Sequence, residues 1–499
     1  MKPVLSLMRL PLLIPMHHLL LLPLLLLLLI QPFSAVGLEL TYTVTLEDLA
    51  TRTLQVELEI AGWPQSELNL QSVPTYMDNP TAAVRGRIVR RLVARDTEGD
   101  PMVFRVKDGE HGEPIFFLKA APDTLLVSYD LLVDFVPSRQ TEDYPIQLPF
   151  MDQERAWLYG NYVFCYPVLA SRKSVATRIP VRTRVQFVLP ENVPLVGPPS
   201  NQLELANLYA LMSLQFGFGA FLVAEDSAGG YPFSIVTPDS LAFTPAEQIW
   251  LRERTREIVT SVTDFFGGDP FPSMSFFYFR GEGIGGLEGA YACQTFVPAS
   301  IDVSAPSDEK GIIFATTALH EFFHTWNPIG VFAAGDPWIK EGVTTYYGQV
   351  LACRLGWLKP ESWQTWQSAY EKLLRENPLF TEVALDDPQI WDREYDSEDW
   401  RTLTYDRGLA VTLLLDVRIR EATGNRKSLD DVWPLLFRQH RHGSYSHAEL
   451  LTAIKRTTGF DASRFFAVYV EGMTPPSAEE VVQALVQAEQ FDVFTPRHP

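Results

Sequence analysis

The chain has 499 residues, 46% of them hydrophobic and 20% charged, which excludes a disordered protein and exceeds what one ordinary core accommodates, so several domains are expected. Acidic side chains number 61 against 41 basic ones, and the net charge of −20 argues against nucleic acid as a partner, because phosphates need a basic surface. Three cysteines, Cys165, Cys293 and Cys353, form at most one intramolecular pair and read most simply as small buried hydrophobes.

Residues 1–37 read as a secretory signal peptide. Lys2 and Arg9 precede a leucine run at 19–30 that only Pro23 and the closing Ile30 vary, and the small residues Ala35 and Gly37 suit cleavage after Gly37. The mature protein is then expected to be secreted or periplasmic, with an uncleaved N-terminal membrane anchor as the alternative. No other segment has about 20 continuous apolar residues, so no stable membrane insertion is expected after cleavage.

From Leu38 the pattern has period two. Leu38, Leu40, Tyr42, Val44 and Leu46 alternate with polar residues, as do Val56, Leu58 and Ile60, and later Val181, Val185 and Phe187. One buried and one wet face is the signature of antiparallel sheet, and it predicts a β-sandwich domain over residues 38–203. Four prolines and a glycine within 190–200 mark the approach to a boundary.

Helical signals follow. Thr244-Pro245-Ala246-Glu247 places a capping threonine, a first-turn proline and a third-position glutamate before a helix expected to stop at Gly267-Gly268. Residues 274–279 and 291–297 are strand candidates. Ser428, Ser446 and Ser477, each with an acidic residue three positions on, start further helices whose apolar stripes are mostly core. The predicted fold class is therefore multidomain β plus α/β: the β-sandwich, a mixed catalytic domain over 204–427, and a helical C-terminal portion over 428–499.

The chemistry concentrates in His320-Glu321-Phe322-Phe323-His324, inside a segment apolar enough to be a buried helix, with Asp308 and Glu309 suited to its first turn. Histidines four apart share a helix face, so both imidazoles can reach one ion, and Glu321 beside the first can serve as base to a water at the open position. Glu341 lies 17 positions beyond His324, enough for a loop and a returning helix to supply a third ligand. Two neutral imidazoles and one carboxylate favour a single Zn²⁺ with an open water position. Taken alone, the histidines also fit core or capping roles, and Glu341 an ordinary helix surface.

At these residues the chain resembles the glutamate-liganded zinc peptidases, and within them the glycyl aminopeptidase family (peptidase family M61). The resemblance rests on HEFFHTWN at 320–327, KEGVTTYY at 340–347, GGLE at 285–288 and YDRG at 405–408. It implies a thermolysin-like catalytic domain, Zn²⁺ on His320, His324 and Glu341, Glu321 as general base, and Tyr405 stabilising the oxyanion. Glu288, with Gly285 and Gly286, would bind the substrate and its free α-amine. Arg407 either supports the site or faces solvent, Tyr346 and Tyr347 pack behind it, and Trp326 is core. Two departures border the pocket: Gly289 stands where the family commonly has histidine, and Pro328-Ile329-Gly330 replaces a basic stretch. A C-terminal PDZ domain, frequent in relatives, is not expected after Met473. The implied activity is removal of small N-terminal residues, glycine or alanine, from peptide substrates. A secreted endopeptidase or dipeptidase, and a catalytically silent peptide-binding protein, are the alternatives.

Overall fold

A computed structural model describes residues 37–495 apart from 73–86, 109–113, 134–148, 169–179, 240–241, 282–284, 299–300, 303–308, 335 and 394–395. The chain divides into two units, residues 1–37 and 38–499. Residues 1–36 of the expected signal peptide lie outside the described residues, as does Asp308.

The second unit opens with a seven-stranded sheet. Its strands run in the order Gln202–Asn207, Pro180–Val188, Glu39–Leu46, Thr53–Ala61, Thr124–Val133, Arg87–Asp96, Pro101–Met102. Tyr42 faces Leu58 and Val44 faces Val56 across an antiparallel pair, and every second residue of Glu39–Leu46 is buried, as the alternation predicts. Two four-stranded sheets cover the apolar face. One contains Cys165–Pro167 and Glu67–Ser72, the other Gln215–Gly219 and Arg155–Tyr159. The Tyr42 hydroxyl donates to the Cys165 carbonyl across the layers (2.9 Å), and the Phe187 and Phe216 rings meet at 4.9 Å. All three cysteines are buried, and none forms a disulfide.

The second part is built on a five-stranded sheet. Its strands are β1 (Leu222–Ala228), β2 (Tyr231–Thr237), β3 (Met274–Gly281), β4 (Gly286–Leu287) and β5 (Ala292–Pro298), in the order β1-β2-β3-β5-β4. Between β2 and β3 the chain crosses over through α1 (Pro245–Phe266). Thr244 and Glu247 cap it reciprocally, and Gly267 ends it in a left-handed turn, φ 67°. Phe279 joins the two parts, its ring lying 5.8 Å from Trp157 and 5.9 Å from Phe150.

Helix α2 (Glu309–Phe323) packs on β5 and α1, and α3 (Thr344–Arg354) packs on α2. Helix α4 (Gly408–Thr423) lies against the segment leading into α3, and the C-terminal helix Ala478–Gln490 packs on α4. Ser428, Ser446 and Ser477 each form the expected reciprocal cap. Among the described residues, no helix is long and apolar enough to cross a membrane.

Candidate metal centre and active site

Helical geometry at the end of α2 brings the two histidines together. His320 Nε2 and His324 Nε2 lie 3.0 Å apart, and Glu341 Oε2 is 3.2 Å from the first and 3.3 Å from the second. Tetrahedral Zn²⁺ with bonds of about 2.0–2.2 Å separates its ligand atoms by roughly 3.3 Å, so the three donors converge as that ion requires. They form the donor set of a single Zn²⁺ site, in which His324 and Glu341 are buried and His320 is partly exposed.

Three segments at this centre are wound wider than an α-helix. Thr325–Gly330 follows α2 and breaks at Asn327, Ile339–Val343 carries Glu341 into α3, and Leu403–Arg407 carries Tyr405 into α4. Such insertions rotate the side chains beyond them and recur at functional sites. The Asn327 carbonyl lies 2.8 Å from His324 Nδ1. With Nδ1–H donating there, the lone pair of Nε2 is left for a metal. Asn327 Nδ2 in turn donates to the Ile339 carbonyl (2.9 Å) and to Thr344 Oγ1 (3.1 Å), tying the first ligand segment to the third ligand's helix.

Gly342 and Gly408 let the Glu341 and Tyr405 segments touch through backbone, since a Cβ on Gly342 would meet Gly408 Cα at 2.6 Å. The Tyr405 ring stacks beside His320, with centroids 6.0 Å apart and planes within 11°.

Glu321 and Glu288 are buried beside the metal donors, and each offers an oxygen to one cluster with His324 in which all donor atoms lie within 4.8 Å. Burial, reinforced by Glu288 and Glu341, raises the Glu321 carboxyl to about 8, against the opposing pull of His324 and Lys340. Burial also works against charge on Glu341, but Lys340 and the two imidazoles outweigh it and hold the carboxyl well below its usual range. Gly286 packs on Glu321: a Cβ there would lie 2.3 Å from Glu321 Cγ. Gly285 accepts from the Phe296 backbone N–H at 3.0 Å and so pins the turn to β5.

Gly289 has a steric cause. A Cβ at that position would sit 2.1 Å from the Ala292 carbonyl oxygen, so the turn has no room for the histidine common in the expected family.

Several supporting residues carry no local sequence signal. Buried Gln215 donates from Nε2 to the carbonyls of Leu287 (2.8 Å) and Glu288 (3.0 Å), fixing the backbone at Glu288. The Tyr209 hydroxyl donates to Glu288 Oε1 (3.2 Å), and Lys340 Nζ approaches the same oxygen at 3.5 Å. Arg407 neither faces solvent nor reaches the reaction centre. It is fully buried and donates to the carbonyls of Phe380, Val383, Tyr469 and Gly472, and burial lowers its guanidinium to about 10. Tyr346 and Tyr347 lie on α3 and pack behind the site as expected, donating to Asp416 (2.9 Å) and Asp430 (3.0 Å). Trp326 is core, stacked on Phe266.

No protein-family model and no curated protein matches the chain. Solved structures do. An aminopeptidase N family protein from Idiomarina loihiensis gives a TM-score of 0.62 at 16% identity, over 89% of this chain and 78% of that one. An M1 zinc metallopeptidase from Deinococcus radiodurans, bound to a Tyr-Ser-Ala substrate, gives 0.54 at 14% identity, over 89% and 96%. A two-domain M1 zinc metallopeptidase bound to L-arginine gives 0.53 at 14% identity over the same shares. The fold is thus similar to that of these M1-type zinc peptidases, with a β-sheet region leading into a helical region that carries the His/His/Glu cluster.

This corrects the expected placement in the glycyl aminopeptidase family: the matched structures are M1, aminopeptidase N-like metallopeptidases, not M61. The metal-ligand part of the motifs that suggested M61 is set by coordination chemistry. Two histidines four apart and a distant glutamate serve any glutamate-liganded zinc peptidase, so they do not separate its branches.

Proposed function

We propose that this protein is a zinc-dependent peptidase and acts as an aminopeptidase. The observation that carries the reading is the convergence of His320, His324 and Glu341 at 3.0–3.3 Å beside two further buried carboxylates, Glu321 and Glu288. Zn²⁺, when bound, supplies Lewis acidity to the scissile carbonyl and lowers the pKa of the attacking water. Glu321 takes the proton from that water and delivers it to the leaving amine. The Tyr405 phenol donates a hydrogen bond where negative charge develops on the carbonyl oxygen. Glu288, held by Gln215 and Tyr209, attracts the α-ammonium of the peptide. Binding of Tyr-Ser-Ala by the Deinococcus protein supports a peptide substrate.

The expected preference for glycine or alanine came with the M61 resemblance, and no contact at the site narrows the residue removed. The leucine-rich segment at 19–30 supports action outside the cytoplasm. Product analysis on a mixed peptide library tests the activity. Stepwise loss of single N-terminal residues is expected, whereas cuts at internal bonds irrespective of the terminus would replace aminopeptidase by endopeptidase action.

A further inference from the structure

Lys340 is a buried lysine, only 3% exposed, at the centre of an acidic site. Three carboxylates surround the metal position, those of Glu288, Glu321 and Glu341, and all are buried. Glu341 divides its oxygens: Oε2 faces the two histidines, while Oε1 accepts from Lys340 Nζ at 2.5 Å. The same ammonium lies 3.5 Å from Glu288 Oε1, the oxygen to which Tyr209 donates. One cation thus bridges a metal ligand and the carboxylate assigned to the substrate amine.

We propose that Lys340 is a specificity-determining residue that shares Glu288 with the incoming peptide terminus and holds down the preference for a free α-ammonium over an uncharged terminus. The proposal rests on the aminopeptidase reading of Glu288. A buried carboxylate without a counter-charge would be a strong trap for an ammonium group. Here the chain supplies its own ammonium to the same oxygen. A peptide α-ammonium in contact with Glu288 would lie about 5–6 Å from Nζ, where two like charges at an effective dielectric near 20 oppose binding by roughly a hundredfold. Water and side-chain relaxation reduce this, so an effect of at least about tenfold is expected. An acetylated terminus carries no charge and escapes the repulsion.

The test is calorimetric binding to zinc-loaded Glu321→Gln protein, in which turnover is blocked, with zinc content measured for every variant. The probes are one tripeptide with a free N-terminus and the same tripeptide acetylated. Adding Lys340→Met should raise the affinity ratio of free over acetylated peptide at least about tenfold, and Lys340→Arg, which keeps the charge, should leave it near the starting value. An unchanged ratio in Lys340→Met, with peptides still bound, overturns the role of Lys340 and leaves the aminopeptidase reading standing. Failure of every protein to bind either peptide overturns both. Should Lys340→Met not fold, Lys340→Gln, which also removes the charge, decides by the same ratio: a rise of at least about tenfold supports the proposal and an unchanged ratio refutes it.

Discussion

Between the segments that carry Glu341 and Tyr405 there is only backbone, and alanine at Gly342 would separate them. Its Cβ would lie 2.6 Å from Gly408 Cα and C, where ordinary contact begins at 3.4 Å, so the segments must part by about 0.8 Å. Neither neighbour is a flexible side chain that can yield. Overpacking of this kind costs roughly 1–3 kcal/mol of stability. A displacement approaching 1 Å between a metal ligand and the proposed oxyanion donor Tyr405 costs roughly a hundredfold in turnover. The assay is kcat/KM on a short peptide together with the melting temperature, and Gly348→Ala is the control. A Cβ on Gly348 meets His320 Cβ at 3.5 Å, an ordinary contact, and alanine in a helix interior is favoured over glycine by roughly 0.5–1 kcal/mol. Gly342→Ala should lose both activity and stability while Gly348→Ala keeps both. A Gly342→Ala protein indistinguishable from wild type in turnover and melting would refute the argument.

Tyr405→Phe should lower kcat by roughly 10²–10³ with zinc content and melting temperature unchanged, and a loss of zinc instead would make Tyr405 a structural residue. Arg407→Met strands four buried or part-buried carbonyls, each costing up to roughly 1–3 kcal/mol, and should unfold in markedly less urea than wild type; an unchanged urea midpoint would contradict that burden. The His447 imidazole is held at Nδ1 by buried Asp336 (3.0 Å), and that hydrogen bond raises its pKa above the unfolded value. Its contribution is therefore fully present below about pH 6.5 and lost as pH climbs through the higher folded value. Melting of wild type against His447→Gln should differ more near pH 6 than near pH 9, and an equal difference at both would show that the pair is not titrating there.

The elements and the metal donors were legible because their signals are local. Thr244 and Glu247, three residues apart, announced α1, and the four-residue spacing of His320 and His324 announced two ligands on one helix face. Alternation from Leu38 gave the inward faces of the first sheet. What stayed hidden depends on contacts between distant positions. Tyr209 reaches Glu288 across 79 residues, and Gln215 fixes the same turn from a buried strand. Nothing near Arg407 in the chain shows that its four acceptors come from segments on either side of it. Branch membership was misread for a related reason: zinc chemistry imposes the same ligands on different families, and the discriminating information lies in the whole fold.

The most direct test compares zinc content and peptide turnover of wild type and Glu321→Gln. The account predicts one zinc per chain in both proteins, and a fall in turnover of roughly 10²–10⁴ in the variant, because His320, His324 and Glu341 are intact while the base is gone. Undiminished turnover in Glu321→Gln, or wild-type activity without zinc, would contradict it.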